Sequence, residues 1–540
     1  MALPMEDDHY QRLLRHELTQ TKRLNMHRLQ RYIVNRRYFY GENEDADTIR
    51  QPLGIRYIPT INQKHTHYLF GEWDGDLVGW LVRPWDAKDA KDSDFEVAAS
   101  VQRAILRLMR RANANRTIYK AALDGSVYGD SVLKVGWNAQ MPGVTIEAVL
   151  PEYYHAMWHP LDSSQTVEAC IAFNMDRRTA HSIYGSTGNR QYFPNGTGLN
   201  TDLAIVWEYW NSYEKIVAVD DTIISRERNP YANVVEDRLL PGRLPLIHIP
   251  NLGVNGEYFG FGDGEQVFRL ADELNYRLAD IGDVINYHAH PITLLRNFYG
   301  DVEQLPVSAD AVWDLGREGE AEYLEWGGPA PEVMGYVEML LRIILETTSL
   351  TPIAFGHSES SQASSAALNI QMLPITEVVR RKRVFWSGAL TDVALRMLEL
   401  ESIVLEEEAT GKFRRIYGFA LTDLERFQIQ PKWSPILPRD RLAVVNEQVA
   451  LLTNHAKSII TALTDLEVDD PILERDRIMQ DVKAIADIEA KINMQLASHE
   501  AGLAAKTREA KPAPGRVSIQ RSGRNSDRAK GGSNQDHTDP

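Results

Sequence analysis

The sequence predicts an α+β protein in which long helices and antiparallel strands occupy separate stretches of the chain. Residues 263–290 and 332–350 carry apolar side chains at the three- and four-residue spacing of a helix that buries one side. Between residues 140 and 260, β-branched and aromatic runs alternate with Pro, Gly and Asn turns. The 540 residues, 43% of them hydrophobic, are expected to fold over most of their length but exceed one compact core.

The net charge and the cysteine count exclude several classes of protein. A formal net charge of −16 argues against a chain built as a whole to grip DNA, because such proteins are basic. Cys170 is the single cysteine, which excludes an internal disulfide and a multi-cysteine zinc site. No apolar signal core opens the chain, and no run of 18 apolar residues occurs. We therefore expect a protein made in the cytoplasm, with no membrane among its partners.

The N-terminal half is predicted to form a helical arm followed by a mixed domain. Helical spacing over residues 8–40 assigns residues 1–60 to the arm. Residues 61–262 form the mixed domain, in which residues 95–126 predict one long helix and residues 131–137 predict a strand. The β-rich stretch then completes this domain.

A long helix is predicted over residues 263–290, and Pro291 ends it. Residues 291–330 then form a small α/β insert, in which the runs "AVWDL" (311–315) and "AEYLEW" (321–326) predict strands.

The second long helix is predicted over residues 331–350. Its charges lie on one narrow stripe, at Glu338, Arg342 and Glu346, and most of its remaining surface is apolar. Such a helix has to be covered on most sides, either by the same chain or by other copies of it. The apolar residues predicted to pack along these two long helices are Leu274, Leu278, Ile281, Ile285, Leu340 and Ile344.

The rest of the chain is predicted to be a loop, a kinked helix, a helical region and a tail. Residues 351–363 form a polar loop, and residues 364–410 form a long helix interrupted at Pro374. Residues 411–505 combine one strand with several helices. Residues 506–540 are rich in Pro, Gly, Ser and basic side chains, so we expect a disordered tail, with contact to DNA or an internal partner as a hypothesis.

The loop contains "GHSES" at residues 356–360, one residue short of the Gly-x-Ser-x-Gly nucleophile elbow. This pattern makes a serine hydrolase using Ser358 the alternative function. An elbow requires a strand before the serine and a small residue after it. Here a predicted helix precedes, and Ser360 replaces the final glycine. The motif therefore favours a non-enzymatic loop.

Four further motifs do not predict a metal or a cofactor. The His-x-His pairs within residues 64–67 and 287–290 lack an acidic or Cys partner at metal-ligand spacing, and we interpret them as helix-cap or surface histidines. Residues 409–413 lack the first glycine and the Ser or Thr of a phosphate loop. The glycines of residues 260–265 do not match the dinucleotide spacing and indicate a turn into the next helix.

Four consecutive basic residues lie on the kinked helix. Most runs of this kind face solvent or another subunit, whereas some contact phosphates. The sequence leaves both interpretations open, so the run predicts contact with DNA or with a subunit. Its members are Arg380, Arg381, Lys382 and Arg383.

The order of these elements resembles the portal protein family of tailed bacteriophages. Residues 119–137 resemble the helix–Gly–strand segment of the family's wing domain. Residues 260–285 and 332–352 resemble its two stem helices, and the insert 291–330 falls where its clip domain lies. Residues 363–385 are similar to the family's Ser-Gly-x-Ala-Leu segment and the Leu-rich, then basic, helix that follows.

Within that last segment Ser364, Ala367 and Leu368 match the family pattern, and Ser365 departs from it by replacing the usual glycine. Serine at a helix start suits an N-cap better than glycine does. The resemblance covers about residues 60–410, and the flanking regions resemble no family that we can name.

The resemblance implies a non-enzymatic, homo-oligomeric ring, usually a dodecamer, in the virion at one capsid vertex. The ring would conduct double-stranded DNA without sequence specificity during packaging and ejection. Its implied partners are the large terminase subunit, major capsid and scaffolding proteins, and head-completion or tail adaptor proteins. The loop 351–363 would be the tunnel loop that faces DNA. Its DNA-facing residues would be Gly356, His357, Ser358, Glu359, Ser360, Ser361 and Gln362.

Overall fold

The protein, described by a computed structural model, is α+β, as the sequence predicts. The chain divides into two compact units, residues 1–438 and residues 439–540. The described residues are 26–41, 55–72, 75–85, 90–138, 142–159, 161–184, 203–219, 222–232, 234–235, 238–239, 241–254, 256–289, 293–302, 305–306, 312–323, 331–357, 365–437, 441–466, 468 and 471–509.

The first unit contains ten α-helices in its described part. Residues 95–126 form two helices and not the single predicted one, because Asn113 adopts a left-handed conformation with φ of 51°. Asparagine tolerates this conformation better than most residues do. The part of the predicted arm helix before Met26 lies outside the described residues. The α-helices of this unit are α1 (Met26–Tyr40), α2 (Tyr57–Phe70), α3 (Asp92–Arg111), α4 (Ala114–Tyr128), α5 (Arg177–Tyr184), α6 (Phe268–Ala289), α7 (Pro331–Thr347), α8 (Ser365–Gln371), α9 (Leu373–Glu408) and α10 (Lys412–Tyr417).

The predicted β-rich stretch is confirmed and forms antiparallel sheets. Five strands pair in the order β4-β5-β6-β7-β8, three pair as β11-β2-β3, and β1 pairs with β14 from the end of the unit. The strands are β1 (Gly79–Pro84), β2 (Asp130–Asn138), β3 (Gly143–Val149), β4 (Tyr154–His159), β5 (Asp162–Asp176), β6 (Leu203–Trp210), β7 (Glu214–Val219), β8 (Thr222–Arg228), β9 (Val234–Val235), β10 (Arg238–Leu239), β11 (Leu246–Pro250), β12 (Thr293–Arg296), β13 (Glu320–Tyr323) and β14 (Phe427–Lys432).

The main core of the first unit surrounds the long helix α9. Trp386, Leu390 and Val393 of α9 are buried in the same apolar cluster as Ile105 and Leu108 of α3. Burial of side chains of this size is the dominant stabilising contribution to such a core. The packing fixes α9, and with it the basic run near its start, relative to the sheets.

The two predicted long helices are present and run in opposite directions. The first begins as a 3₁₀ turn over Glu265–Val267 and continues as α6, and the second is α7. After α7, the carbonyl of Thr348 lies beside His65, which interacts with Asp263 just before α6. Near the start of α7, the hydroxyl of Tyr336 donates to Glu273 on α6 at 3.4 Å. The end of one helix therefore lies by the start of the other.

The predicted packing residues of these helices divide into three groups. Leu274, Leu340 and Ile344 are buried in one apolar cluster. Leu278 and Ile281 pack at its edge. The sixth residue lies where α6 extends beyond this cluster. That residue is Ile285, whose surface is 57% exposed within the chain.

The insert between α6 and α7 contains one antiparallel strand pair, β12 and β13, with Thr293 opposite Tyr323. The predicted strand "AEYLEW" therefore forms in its first half. The predicted strand "AVWDL" does not form over residues 312–315, where the indole of Trp313 instead donates to the carbonyl of Pro306 at 2.8 Å. The described residues of the insert contain no α-helix, although the sequence predicted an α/β insert.

The helix predicted over residues 364–410 is interrupted, as expected from its proline. The short helix α8 ends at Gln371, and α9 restarts at Leu373 with Pro374 in its first turn. Proline is tolerated there because the amide it lacks has no partner within the helix. The break thus lies immediately before the proline.

The second unit is helical in its described part. It contains α11 (Arg441–Thr453), α12 (Ile459–Asp465) and α13 (Pro471–Glu509). The hydroxyl of Ser458 caps α12 by accepting from the amide of Thr461 at 3.2 Å. The strand predicted within residues 411–505 is β14, which belongs to the first unit because it pairs with β1. Over the described part of the chain, none of the helices combines the length and apolarity needed to cross a membrane.

Candidate functional site

The loop after α7 begins as a well-anchored turn. Pro352–Phe355 form a 3₁₀ turn, and Gly356 follows with φ of 85°, in the region that favours glycine. The amide of His357 donates to the carbonyl of Pro352 at 3.1 Å. The ammonium of Lys64 on α2 donates to the carbonyl of Ala354 at 2.7 Å. These bonds hold the start of the loop against the first unit.

The structure describes only two of the residues predicted to face DNA. Gly356 and His357 are exposed, and the other predicted loop residues, 358–362, lie outside the described residues. The chain leading to Ser358 is a helix and a 3₁₀ turn, in place of the strand that a nucleophile elbow requires. The exposed start of the loop can present hydrogen-bonding groups to a partner.

The basic run does not act as one surface. Arg380 and Arg381 are exposed, and Arg380 donates to Glu377 at 2.6 Å. Arg383 is half-buried, donates to the carbonyl of Leu69 at 2.8 Å and lies 5.0 Å from the ring centre of Trp433. Burial lowers the pKa of Arg383 to about 10.

Lys382 is the correction to the predicted external contact. Its side chain is 2% exposed and points into the chain, so it is not available to DNA or to another subunit. Its ammonium lies 2.7 Å and 2.5 Å from the two carboxylate oxygens of Asp263, before α6. Asp263 also accepts from the hydroxyl of Ser126 at 2.6 Å and the side-chain amide of Asn251 at 3.0 Å. One buried carboxylate thus joins three segments of the first unit.

Burial and the opposite charge shift the pKa values of Asp263 and Lys382. Burial alone would raise the pKa of Asp263, but Lys382 and the hydrogen bonds to the carboxylate bring it below its ordinary value. Burial lowers the pKa of Lys382, and the carboxylate of Asp263 opposes that change. The contact at 2.5 Å makes each group the counter-charge of the other in this buried site.

His65 lies beside this pair and is neutral. Burial lowers its pKa to about 4, and its Nε2 lies 2.9 Å from the carbonyl oxygen of Thr348. A carbonyl only accepts, so Nε2 carries the proton and donates. The sequence interpretation as a cap or surface residue is wrong for His65, which is 2% exposed. It is correct in kind for His67, which is exposed on the same helix.

A groove open to solvent lies where α7 meets the first turns of α9, with a volume of about 530 Å³. One lining residue, Ser349, follows the end of α7. The remaining lining, from α9, combines apolar side chains with Glu377 and the two exposed arginines of the basic run. Its residues are Pro374, Glu377, Val378, Arg380, Arg381 and Val384.

Sequence reasoning missed Asp263 and its partners, although it singled out the glycines around them. A side chain at Gly262 would place Cβ 2.6 Å from the carbonyl oxygen of Val127, and one at Gly260 would place Cβ 2.4 Å from that of Gly129. The glycines let this turn approach the end of α4 closely. That close approach brings Asp263 to Ser126.

The chemistry available at the site is that of charge pairing and hydrogen bonding. In the ranges that the structure describes, no three His, Cys, Asp or Glu side chains are grouped to hold a metal ion. No protein-family model matches the chain, and no curated protein matches it.

Proposed function

We propose that this chain is the subunit of a portal-type ring, which forms the conduit for double-stranded DNA at one vertex of a bacteriophage capsid. The observation that carries the proposal is the antiparallel pair α6 and α7, joined by the small β12–β13 insert and followed by the 3₁₀ turn Pro352–Phe355 and the long helix α9. This is the order of elements in the family that the sequence resembles.

The outer surface of the helix pair supports an oligomer. Large apolar side chains on it remain exposed within the chain. Exposed apolar residues of this kind, when clustered, mark an interaction surface. In a ring, neighbouring copies cover such faces through contacts that close by rotation. The exposed apolar residues of the pair are Tyr276, Ile285, Met334, Tyr336, Met339 and Ile343.

The charge of the chain suits a conduit through which DNA moves. Each phosphate that Lys or Arg neutralises adds salt-dependent affinity, and hence drag. The predicted tunnel loop, residues 351–363, has no Lys or Arg. A net charge of −16 per copy would repel DNA over about one Debye length, roughly 10 Å. In this proposal the subunit catalyses no reaction and needs no cofactor.

The remaining partners follow from the same proposal. The insert, residues 291–330, would dock the large terminase subunit during packaging and adaptor proteins of the head or tail afterwards. Capsid and scaffolding proteins would surround the ring in the assembling head, so the protein would reside in the virion after synthesis in the host cytoplasm.

The experiment that tests the proposal is negative-stain electron microscopy of the purified protein, together with its mass by light scattering. We expect annular particles with a central opening and a mass that is a multiple of one chain, in the usual case twelve. A chain that stays strictly monomeric, with no annular particles at any concentration tested, would overturn the proposal.

A further inference from the structure

We infer that the groove on the first turns of α9 is a contact site for a second copy of this chain, and that the outer face of α7 from that copy occupies it. The inference rests on the proposed ring for the identity of the partner. It goes beyond that proposal by naming the two surfaces that meet and the charge pair between them.

The groove offers one cation without an ion pair to the described residues, beside apolar side chains. Arg381 is exposed and forms no ion pair with any described residue, whereas its neighbour Arg380 is engaged by Glu377 at 2.6 Å. Val384 is 71% exposed and Leu373 is 48% exposed on the same end of α9. The groove therefore suits an apolar surface that also carries a carboxylate.

The outer face of α7 offers the complementary set. Met339, Ile343 and Glu346 follow one another at spacings of four and three residues, which places them on one side of the helix. Met339 and Ile343 are 46% and 36% exposed. Glu346 is exposed, and its carboxylate has no ion-pair partner within the described ranges. Met339, Ile343 and Glu346 thus remain uncovered on the chain itself, with the exposed Arg342 one turn before Glu346.

These two surfaces fit a contact between identical subunits. They are different patches of one chain, so a contact between them is heterologous and repeats from copy to copy until a ring closes. Burial of Met339 and Ile343 against Val384 and Leu373 removes apolar surface from water. The pairing of Arg381 with Glu346 of the next copy then fixes the register, because opposite charges attract across the interface and a shifted contact would lose that attraction.

The test is a charge reversal with rescue inside the full-length protein. Arg381→Glu places two carboxylates at each contact, and Glu346→Arg places two guanidinium groups there. We expect either variant to lower the affinity between copies by at least about tenfold, measured as the shift in the mass distribution with concentration. The double variant, with both changes in one chain, restores an opposite pair at each contact and is expected to recover assembly.

Controls separate this effect from damage to the fold. Glu96→Arg makes the same change of charge on the exposed side of α3 and should leave assembly unchanged. Arg381→Gln removes the attraction without adding repulsion, so its effect should be smaller than that of Arg381→Glu. Circular dichroism and thermal unfolding confirm that each variant is folded.

The outcomes distinguish this inference from the proposed function. If the unmodified protein forms rings and both single reversals form them equally well, the inference is overturned and the ring stands. If those reversals change only the binding of double-stranded DNA, the groove is a DNA surface and the inference is again overturned. If the unmodified protein is monomeric, the proposed function fails, and the inference fails with it.

Discussion

At the scale of single residues, the basic run shows how one pattern can conceal several roles. Each residue of an α-helix is rotated by about 100° from the one before it, so four consecutive side chains point to all sides of the helix. On a half-buried helix such as α9, at least one of them has to face inward. Lys382 does so, and Asp263 makes its burial tolerable by supplying the opposite charge at 2.5 Å.

The first prediction concerns this buried pair. Lys382→Met leaves the carboxylate of Asp263 buried without its counter-charge, which is expected to lower the free energy of unfolding by about 3–5 kcal/mol. Adding Asp263→Asn should recover more than half of the loss, since a neutral amide still accepts from Ser126. Denaturant unfolding at fixed protein concentration measures the loss in the single variant and the recovery in the double variant. The control is Arg414→Met, on the exposed side of α10. A loss as small as that of the control would show that the pair is not needed.

The second prediction is a pH dependence that arises at Asp124. Burial raises the pKa of its carboxyl from 3.8 to about 7, with Lys120 opposing and Glu152 reinforcing the rise. Because the folded-state pKa exceeds the unfolded-state value, this group's contribution to stability is complete below about pH 4 and is lost as pH rises through about 7. Asp124→Asn does not titrate.

The variant Asp124→Asn is therefore expected to gain stability relative to the unmodified protein between about pH 5 and about pH 8. The gain should be on the order of 2 kcal/mol, measured by urea unfolding at both values. Asp92→Asn, an exposed carboxylate on α3, should show no such change. A difference that stays constant with pH would contradict the raised pKa of Asp124.

The third prediction concerns the charge of the loop. If Glu359 keeps DNA from adhering to the conduit, Glu359→Lys should leave rings intact and slow DNA packaging, because a cation in each copy adds phosphate contacts. The defect should weaken as the salt concentration rises. An in vitro packaging assay measures it, with Glu96→Lys as the matched charge change on α3. If rings of the Glu359→Lys variant package DNA at the normal rate, Glu359 does not keep DNA from adhering to the conduit.

At the scale of elements, the helices were predictable in kind, but their breaks were less so. The apolar spacing of residues 95–126 continues across the junction of α3 and α4, so periodicity alone gives no sign of the turn there. The signal is the residue at the junction, Asn113, which favours the left-handed region. Pro374 is a stronger signal, because the proline ring clashes with the preceding turn in the interior of a helix. The break between α8 and α9 was predicted from it.

The fourth prediction tests the turn between α3 and α4. Asn113→Ala forces a residue with a Cβ and no local hydrogen-bonding group into φ of 51°, which is expected to cost about 1 kcal/mol of stability. Asn113→Gly accepts the same conformation without steric cost and should be close to neutral. Thermal unfolding of the two variants side by side gives the comparison. Equal stability of the Ala and Gly variants would show that the left-handed turn is not constrained.

At the scale of the whole molecule, the chain divides into two compact units. The strand pair β1–β14 joins sequence segments more than 340 residues apart and closes the first unit on itself. The sequence grouped β14 with the C-terminal helices because the two are neighbours along the chain. The pairing of β14 with β1, and not its closeness in sequence to the C-terminal helices, assigns β14 to the first unit.

The fifth prediction follows from this division. A chain that ends at Pro438 contains all strands of the described sheets and the apolar clusters around α9 and between α6 and α7. It is expected to fold without the C-terminal unit and to unfold cooperatively. A matched chain that ends at Tyr417 lacks β14 and should be markedly less stable, because β1 loses its partner. Equal unfolding of the two fragments would contradict the role of the β1–β14 pair.

The sequence by itself determined the α+β class, the position of most helices and strands, and the order of two long helices, insert, loop and long helix. These follow from local spacing and from Pro and Gly, whose effects act within a few residues. Only the tertiary structure decided that Lys382 is buried, that His65 is neutral, and that Arg381 and Glu346 stay exposed. Asp263 and Lys382 are 119 residues apart in the chain. Such a pair forms because helices and turns from distant segments pack around it. A local sequence pattern does not predict which side of each helix this packing buries.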